Sequence, residues 1–237
     1  LGVGVDLGGR RIIKKKKLGL AGGGVGHRRG RVALTGDRIQ VPSVGSIGRD
    51  ALGDGRRGPG FQIGEVASPE LISIAELGAG GAWHNTLDAT LPSAVHGRVG
   101  GVLTPGQSAT ETFTIDTNLN RYFNYAAMVV PSNDFFLGNE GSTSASLFDA
   151  AGHLQISSIT IKARDIWDAG SEVFDPSTAA FIAGSNALLR NPQNSVIARN
   201  FAEFAAYNGL TTAAGYVFNS GLTANQDVYR ISLSVSS

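Results

Sequence analysis

The placement of aromatic side chains constrains this chain more than any other feature. Of 11 Phe, 5 Tyr and 2 Trp, only Phe61 lies within residues 1–64. The same segment carries 18 of the 33 glycines and 13 Lys/Arg against 4 Asp/Glu. A stretch so poor in large apolar groups and so charged cannot build a core comparable to the rest. Its short apolar patches, Val32-Ala33-Leu34 and Ile39 to Val41, show no sustained period. Residues 1–64 therefore read as a basic, Gly-rich tail, disordered or foreign to the domain, and residues 65–237 as the folded domain.

Composition narrows the function classes. The chain lacks cysteine, which removes disulfides, thiolate metal sites and cysteine nucleophiles. At 237 residues it is long enough for one sizeable core. No stretch approaches the roughly 18 apolar residues that span a bilayer. Lys14 to Lys17 with Leu18-Gly19-Leu20-Ala21 is too short and too glycine-rich for the apolar core of a signal peptide.

Ser68-Pro69-Glu70, followed by Leu71, Ile72, Ile74, Ala75 and Leu77 and ended by Gly78, predicts a helix over about 69–77: capping hydroxyl, proline at the first position, acid in the first turn. Strands follow. Thr110 to Ile115 alternates, Tyr122 to Val130 is almost wholly apolar, and Ser146 to Asp149 with Leu154 to Ile161 reads as a hairpin. Thr178 to Leu189 reads as a short helix, and Phe201 to Tyr207 as either helix or strand. Val228 to Val235 is the clearest strand, with Tyr229, Ile231, Leu233 and Val235 on one face. Short strands joined by turn residues, with one or two short helices, predict an all-β fold, an antiparallel β-sandwich.

Two segments carry the chemistry. Met128-Val129-Val130-Pro131-Ser132-Asn133-Asp134-Phe135-Phe136-Leu137-Gly138 and Asp165-Ile166-Trp167-Asp168-Ala169-Gly170-Ser171-Glu172-Val173 each run from an apolar strand into a turn bearing carboxylates. Asp168 and Glu172, four apart across a bend, are able to converge on one point. Loops at one end of paired sheets gather oxygen ligands for a hard cation in this way. The alternative is that these carboxylates cap the backbone of their own turns, a common role of Asp. Asp165 reads as a strand-end surface residue. Phe135 stands beside the site, either packed or as an exposed aromatic at a binding tip.

The same two segments, taken with Leu147-Phe148-Asp149-Ala150-Ala151-Gly152 and Ala67-Ser68-Pro69-Glu70-Leu71, resemble the spondin domain family, F-spondin/mindin-like, in its bacterial branch. The resemblance covers roughly residues 67–237 and is strongest over 122–173. It implies a C2-like β-sandwich that binds Ca2+ through loop carboxylates, with Asp134, Asp168 and Glu172 as ligands by position. Glu172 stands where Asp is usual, one methylene longer. The resemblance further implies a secreted or cell-envelope, non-catalytic module of the adhesion or matrix type, whose partner is an extracellular protein, matrix or surface ligand.

Catalytic patterns are lacking. His27, His84, His96 and His153 share no metal or triad spacing. Ser132 has no Gly-x-Ser-x-Gly elbow, and Gly22 to Gly26 lacks the Gly-Lys-Ser/Thr of a phosphate loop. The basic clusters Arg10-Arg11, Lys14 to Lys17 and Arg28-Arg29-Gly30-Arg31 offer a second binding reading, attraction to nucleic acid or anionic surfaces. No aromatic interleaves them for base stacking, so a sequence-specific nucleic-acid site is not expected.

Overall fold

A computed structural model describes residues 28–36, 41–48, 61–117, 119–140, 145–218 and 221–236, the first two stretches as backbone only. The Arg10-Arg11 and Lys14 to Lys17 clusters lie outside the described residues. The order is β1 (Arg28–Gly36), β2 (Val41–Gly48), α1 (Pro69–Leu77), α2 (Gly81–Thr90), β3 (Val95–Leu103), β4 (Ser108–Ile115), β5 (Tyr122–Met128), β6 (Phe135–Gly138), β7 (Ala145–Ser146), β8 (Ser158–Lys162), β9 (Trp167–Asp168), α3 (Phe201–Ala205) and β10 (Asp227–Ser236). The fold is mainly β, and every strand pairing is antiparallel. One sheet runs β4-β1-β10-β8, the other β3-β2-β5-β6-β9, with β7 also on β5.

Local chemistry explains α1. The Ser68 hydroxyl accepts from Leu71 N at 3.3 Å, Pro69 opens the helix, and Gly78 closes it at φ 64° with its N–H on Ile74 O. These signals give the helix the bounds its sequence predicts. Leu71, Ile74 and Ala75 form its buried stripe.

Around β5 and β6 the six-stranded sheet is largely apolar on both faces because both are covered there. Successive residues of β6 go to opposite sides. Phe135 and Leu137 join a large cluster with Phe113 and Ile115 of β4 and Tyr229, Ile231 and Leu233 of β10, so the two sheets share that core. Phe136 joins a second cluster with Leu71 and Ile74 of α1, Trp83 and Leu87 of α2, and Trp167 of β9. Ala127 and Ala126 of β5 divide likewise. A strand buried on both faces loses the alternation that marks a half-exposed one. Tyr122 to Met128 is apolar apart from buried Asn124 for that reason. β10 keeps its alternation, with Ile231 and Leu233 buried between exposed Arg230, Ser232 and Ser234.

Several expectations need correction. Two stretches of the expected tail are strands: β1 pairs with β10 and β4, and β2 with β3 and β5. Both strands are flanked by others on each side, so neighbours supply every ladder partner, and few large side chains are needed to hold them. Helix α2 and strand β3 fall in Gly-rich sequence with no predicted element. α2 has no side-chain cap at Gly80; its signal is the i, i+4 pair Trp83 and Leu87. Thr178 to Leu189 is not a helix but a series of turns ending in a single 3-10 turn, Ala187–Leu189. The expected hairpin at 146–161 reduces to one bridge, Phe148 to Leu154. Phe201 to Tyr207 resolves as helix, capped by the Asn200 side chain accepting from Glu203 N.

Phe136 has no exposed surface and joins helices to sheet. Phe136→Ala is expected to cost about 3–5 kcal/mol in urea denaturation. Leu188→Ala, at a side chain 92% exposed, is expected to stay within about 0.5 kcal/mol.

Candidate functional site

The site forms where β6 begins and β9 ends. β6 is entered from a turn that Ser132 braces: its hydroxyl donates to Val129 O and accepts from Phe135 N at 3.0 Å. The bracing places Asp134 immediately before the strand. Phe135 lies opposite Asp168 in the β6–β9 register, which brings Asp134 beside the second acidic turn. Gly170 makes that turn sharp, with φ 64°. A Cβ there would lie 2.9 Å from the backbone of Ser195 and Val196, since residues 193–198 run alongside through Ser195 N to Gly170 O and Ala198 N to Asp168 O.

The Asp134 carboxylate ties the two turns together. Its Oδ2 accepts from Ser171 N at 2.8 Å and Glu172 N at 3.0 Å, and Ser171 Oγ, 3.3 Å away, shares its one proton between this oxygen and Glu76 Oε1 at 2.9 Å. Asp168 Oδ1 accepts from Gly170 N at 2.8 Å. The turn-capping role is therefore realised, on one oxygen of Asp134 and through Gly170 N–H at Asp168, which Asn200 also engages.

Capping does not neutralise the charges. Burial, then the Asp168 charge, push the Asp134 carboxyl up to about 7, against the pull of the Glu172 and Ser171 N–H groups. Burial also raises Asp168, opposed by Gly170 N–H and Asn200. Glu203 of α3 is raised by burial and by Asp168. Asp134, Asp168 and Glu203 thus form a coupled acidic row. Among the described residues no Lys, Arg or His forms an ion pair with any of the three. Nearby bases are committed elsewhere. Arg190 pairs with Glu76 at 2.7 Å, and Arg199 lies 4.3 Å over the Trp167 ring and 3.7 Å from Asp165.

Glu172 is placed differently from its two expected companions. Its Oε1 accepts from Asn133 Nδ2 at 2.9 Å and Thr178 Oγ1 at 3.3 Å, and its charge faces Glu76. The Asn133 amide is held in turn by Tyr207, whose hydroxyl accepts from Asn133 N at 2.8 Å and donates to Asn133 Oδ1. Glu172 therefore braces the turn from a buried polar network. Phe135 is no exposed tip: it is 1% exposed and packs against Phe204 and Tyr207, because β6 is buried on both faces. Asp165 caps the turn after β8, accepting from Lys162 N.

For a calcium ion the donors fit in kind, since hard oxygens bearing unpaired charge suit a hard cation. They fit in number less well. Of the three carboxylates expected, Glu172 is engaged by Asn133 and Thr178, and among the described residues no group of three or more His, Cys, Asp or Glu is arranged to hold a metal. Sequence reading missed Asn133, Tyr207, Glu203 and Glu76. Asn200-Phe-Ala-Glu203 has the spacing of a helix start and could have located Glu203. The other three depend on tertiary contacts.

Asp134 gives a pH test with a defined sign. Its folded value lies above the ordinary carboxylate value, so the folded state holds the extra proton between about pH 4 and 7. The stability it contributes is full at low pH and is lost as pH rises through 7. In chelator, wild type is expected to lose stability relative to Asp134→Asn between pH 5 and 8, by on the order of a few kcal/mol. A constant difference would remove Asp134 as the titrating group. Gly170→Ala, strained by its positive φ and by the Ser195 backbone, is expected to cost more than about 1 kcal/mol at any pH. No protein-family model matches this chain, and no curated protein is significantly similar to it.

Proposed function

We propose that this protein is a spondin-type, calcium-binding module of the adhesion or matrix class, secreted or in the cell envelope, built on a C2-like β-sandwich and without catalytic activity. The observation that carries the reading is buried Asp134 beside half-buried Asp168, each raising the cost of the other's charge and neither in an ion pair with a base among the described residues. Two adjacent buried carboxylates are costly unless a proton or a cation offsets them. Asp134 and Asp168 hold the ion through the oxygens that capping leaves over; backbone carbonyls and water complete the shell. Glu172 supports the turn through Asn133 and Thr178 rather than binding directly. Bound calcium offsets the acidic charge and stiffens the loops at this end, which then present a recognition surface to an extracellular protein, matrix or surface ligand. No helix among the described residues is long and apolar enough to cross a membrane.

Extracellular modules of this kind bind calcium with dissociation constants on the order of 10⁻⁴–10⁻³ M. At 10 mM, such a site stabilises by about 1.4–2.7 kcal/mol. Wild type is expected to gain that amount in denaturation with calcium against chelator. Asp134→Asn and Asp168→Asn are each expected to weaken binding at least tenfold, and Glu172→Gln less than about threefold. The same calcium response in wild type and in the double variant Asp134→Asn/Asp168→Asn would end the proposal.

A further inference from the structure

We propose that His84 and His96 form an acid-release latch that holds helix α2 to strand β3 at neutral pH and lets it go on acidification. It lies apart from the acidic turns and does not depend on the calcium reading. The two Nδ1 atoms are 2.7 Å apart, while the ring centroids are 4.7 Å apart. The nitrogens are much closer than the rings, so each Nδ1 points at the other and a proton must lie between them. His96 is fixed from behind: its Nε2 lies 2.9 Å from Asp88 Oδ1. A carboxylate only accepts, so Nε2 carries hydrogen, and in neutral His96 Nδ1 is the bare acceptor. His84 then donates through Nδ1–H, and its Nε2 is free of hydrogen. The chain His84 to His96 to Asp88 is complete with both rings neutral.

Proton counting gives the switch. A first added proton goes to His84 Nε2 and leaves the Nδ1–H to Nδ1 bond intact. A second must go to His96 Nδ1. That sets two N–H groups and two positive charges against each other across 2.7 Å, and the bond cannot survive. The closed pair holds at most one added proton; the open pair holds two. Burial and then His96 hold the His84 imidazole below its usual range, against the pull of Asp88.

The other charges near the latch do not replace this control. On α1, Glu70 accepts from Thr86 of α2 at 3.2 Å. On α2, Asp88 keeps its bond to His96 Nε2 and becomes an ion pair when His96 is charged, but its carboxylate is 71% exposed, where such a pair contributes little. Arg98 on β3 and Glu111 on β4 are exposed, and Ser46 of β2 lies opposite His96 in a strand without ionisable residues. No third His, Cys, Asp or Glu joins the pair in a metal-holding arrangement among the described residues. What the latch restrains is apolar: Trp83 and Leu87 of α2 cover Phe136 and Trp167 together with α1. Release of α2 would bare that surface.

Amide hydrogen exchange from pH 7.5 to 5, corrected for intrinsic rates, tests the latch alongside an NMR titration of the imidazole nitrogens. Protection of residues 81–90 is expected to fall by up to about tenfold per pH unit below pH 6, while amides of β10 stay protected. In His84→Gln, whose side chain does not titrate, the fall is expected to disappear. Unchanged α2 protection at pH 5 with both imidazoles charged would overturn the proposal, as would an equal fall in His84→Gln. If that variant does not fold, the wild-type titration decides alone.

Discussion

Asp134 Oδ2 accepts hydrogen bonds from Ser171 N, Glu172 N and Ser171 Oγ, and the acidic end of the molecule depends on that one atom. It connects two turns that the chain separates by more than thirty residues, and does so from a buried position. A buried carboxylate is tolerated only where hydrogen bonds to its charged form offset the loss of water. The two backbone N–H groups supply part of that offset. They do not supply all of it, because burial and Asp168 still drive the carboxyl up to about 7. Arg190 could have completed the balance, but it is bidentate on Glu76, one shared hydroxyl away through Ser171. The protein has neutralised the neighbour and left the pair.

The sheet explains why the carboxylate sits where it does. β6 is four residues long, and Phe135, Phe136 and Leu137 each have a covered place on one side of it or the other. With three consecutive apolar residues committed, the polar residue before them must occupy the strand's entrance, where β9 arrives with Asp168. Packing thus fixes the register, and the register fixes the acidic pair. α1 reaches the same place from the other side, since Ile74 packs against the sheet while Glu76 accepts from Ser171. A change in helix packing therefore reaches the acidic turn through Glu76 and Ser171.

How much could be read from the sequence followed from how local each cause is. α1 was legible to the residue because its cap, proline and terminal glycine act within its own turns. β10 was legible because one face meets solvent. β1 and β2 were not, since a glycine-rich strand paired on both edges draws its order from neighbours that leave no trace in its own composition. α2 begins without a capping side chain, which removed the usual starting signal. At the site, Asp134 and Asp168 were legible as carboxylates in turns after apolar strands. The direction of the Glu172 side chain was not, because Asn133 and Thr178, 39 and 6 residues away, set it, and Tyr207 in turn holds Asn133. Phe135 read as a candidate tip only because adjacent aromatics hide which of them faces inward. Here both do.

Turn capping and cation binding need not be rival uses of the same carboxylate. A carboxylate has two oxygens with separate lone pairs. Asp134 places all three of its hydrogen bonds on Oδ2, and Asp168 takes the Gly170 N–H on Oδ1. Each group fixes its turn with one oxygen and thereby orients the other. The orientation is set mainly by backbone donors, which cannot rotate away as a lysine or arginine could, with Ser171 Oγ and Asn200 as side-chain partners. Capping thus holds the carboxylates in place without supplying a countercharge, and the cost of their burial persists in the raised Asp134 and Asp168 carboxyls.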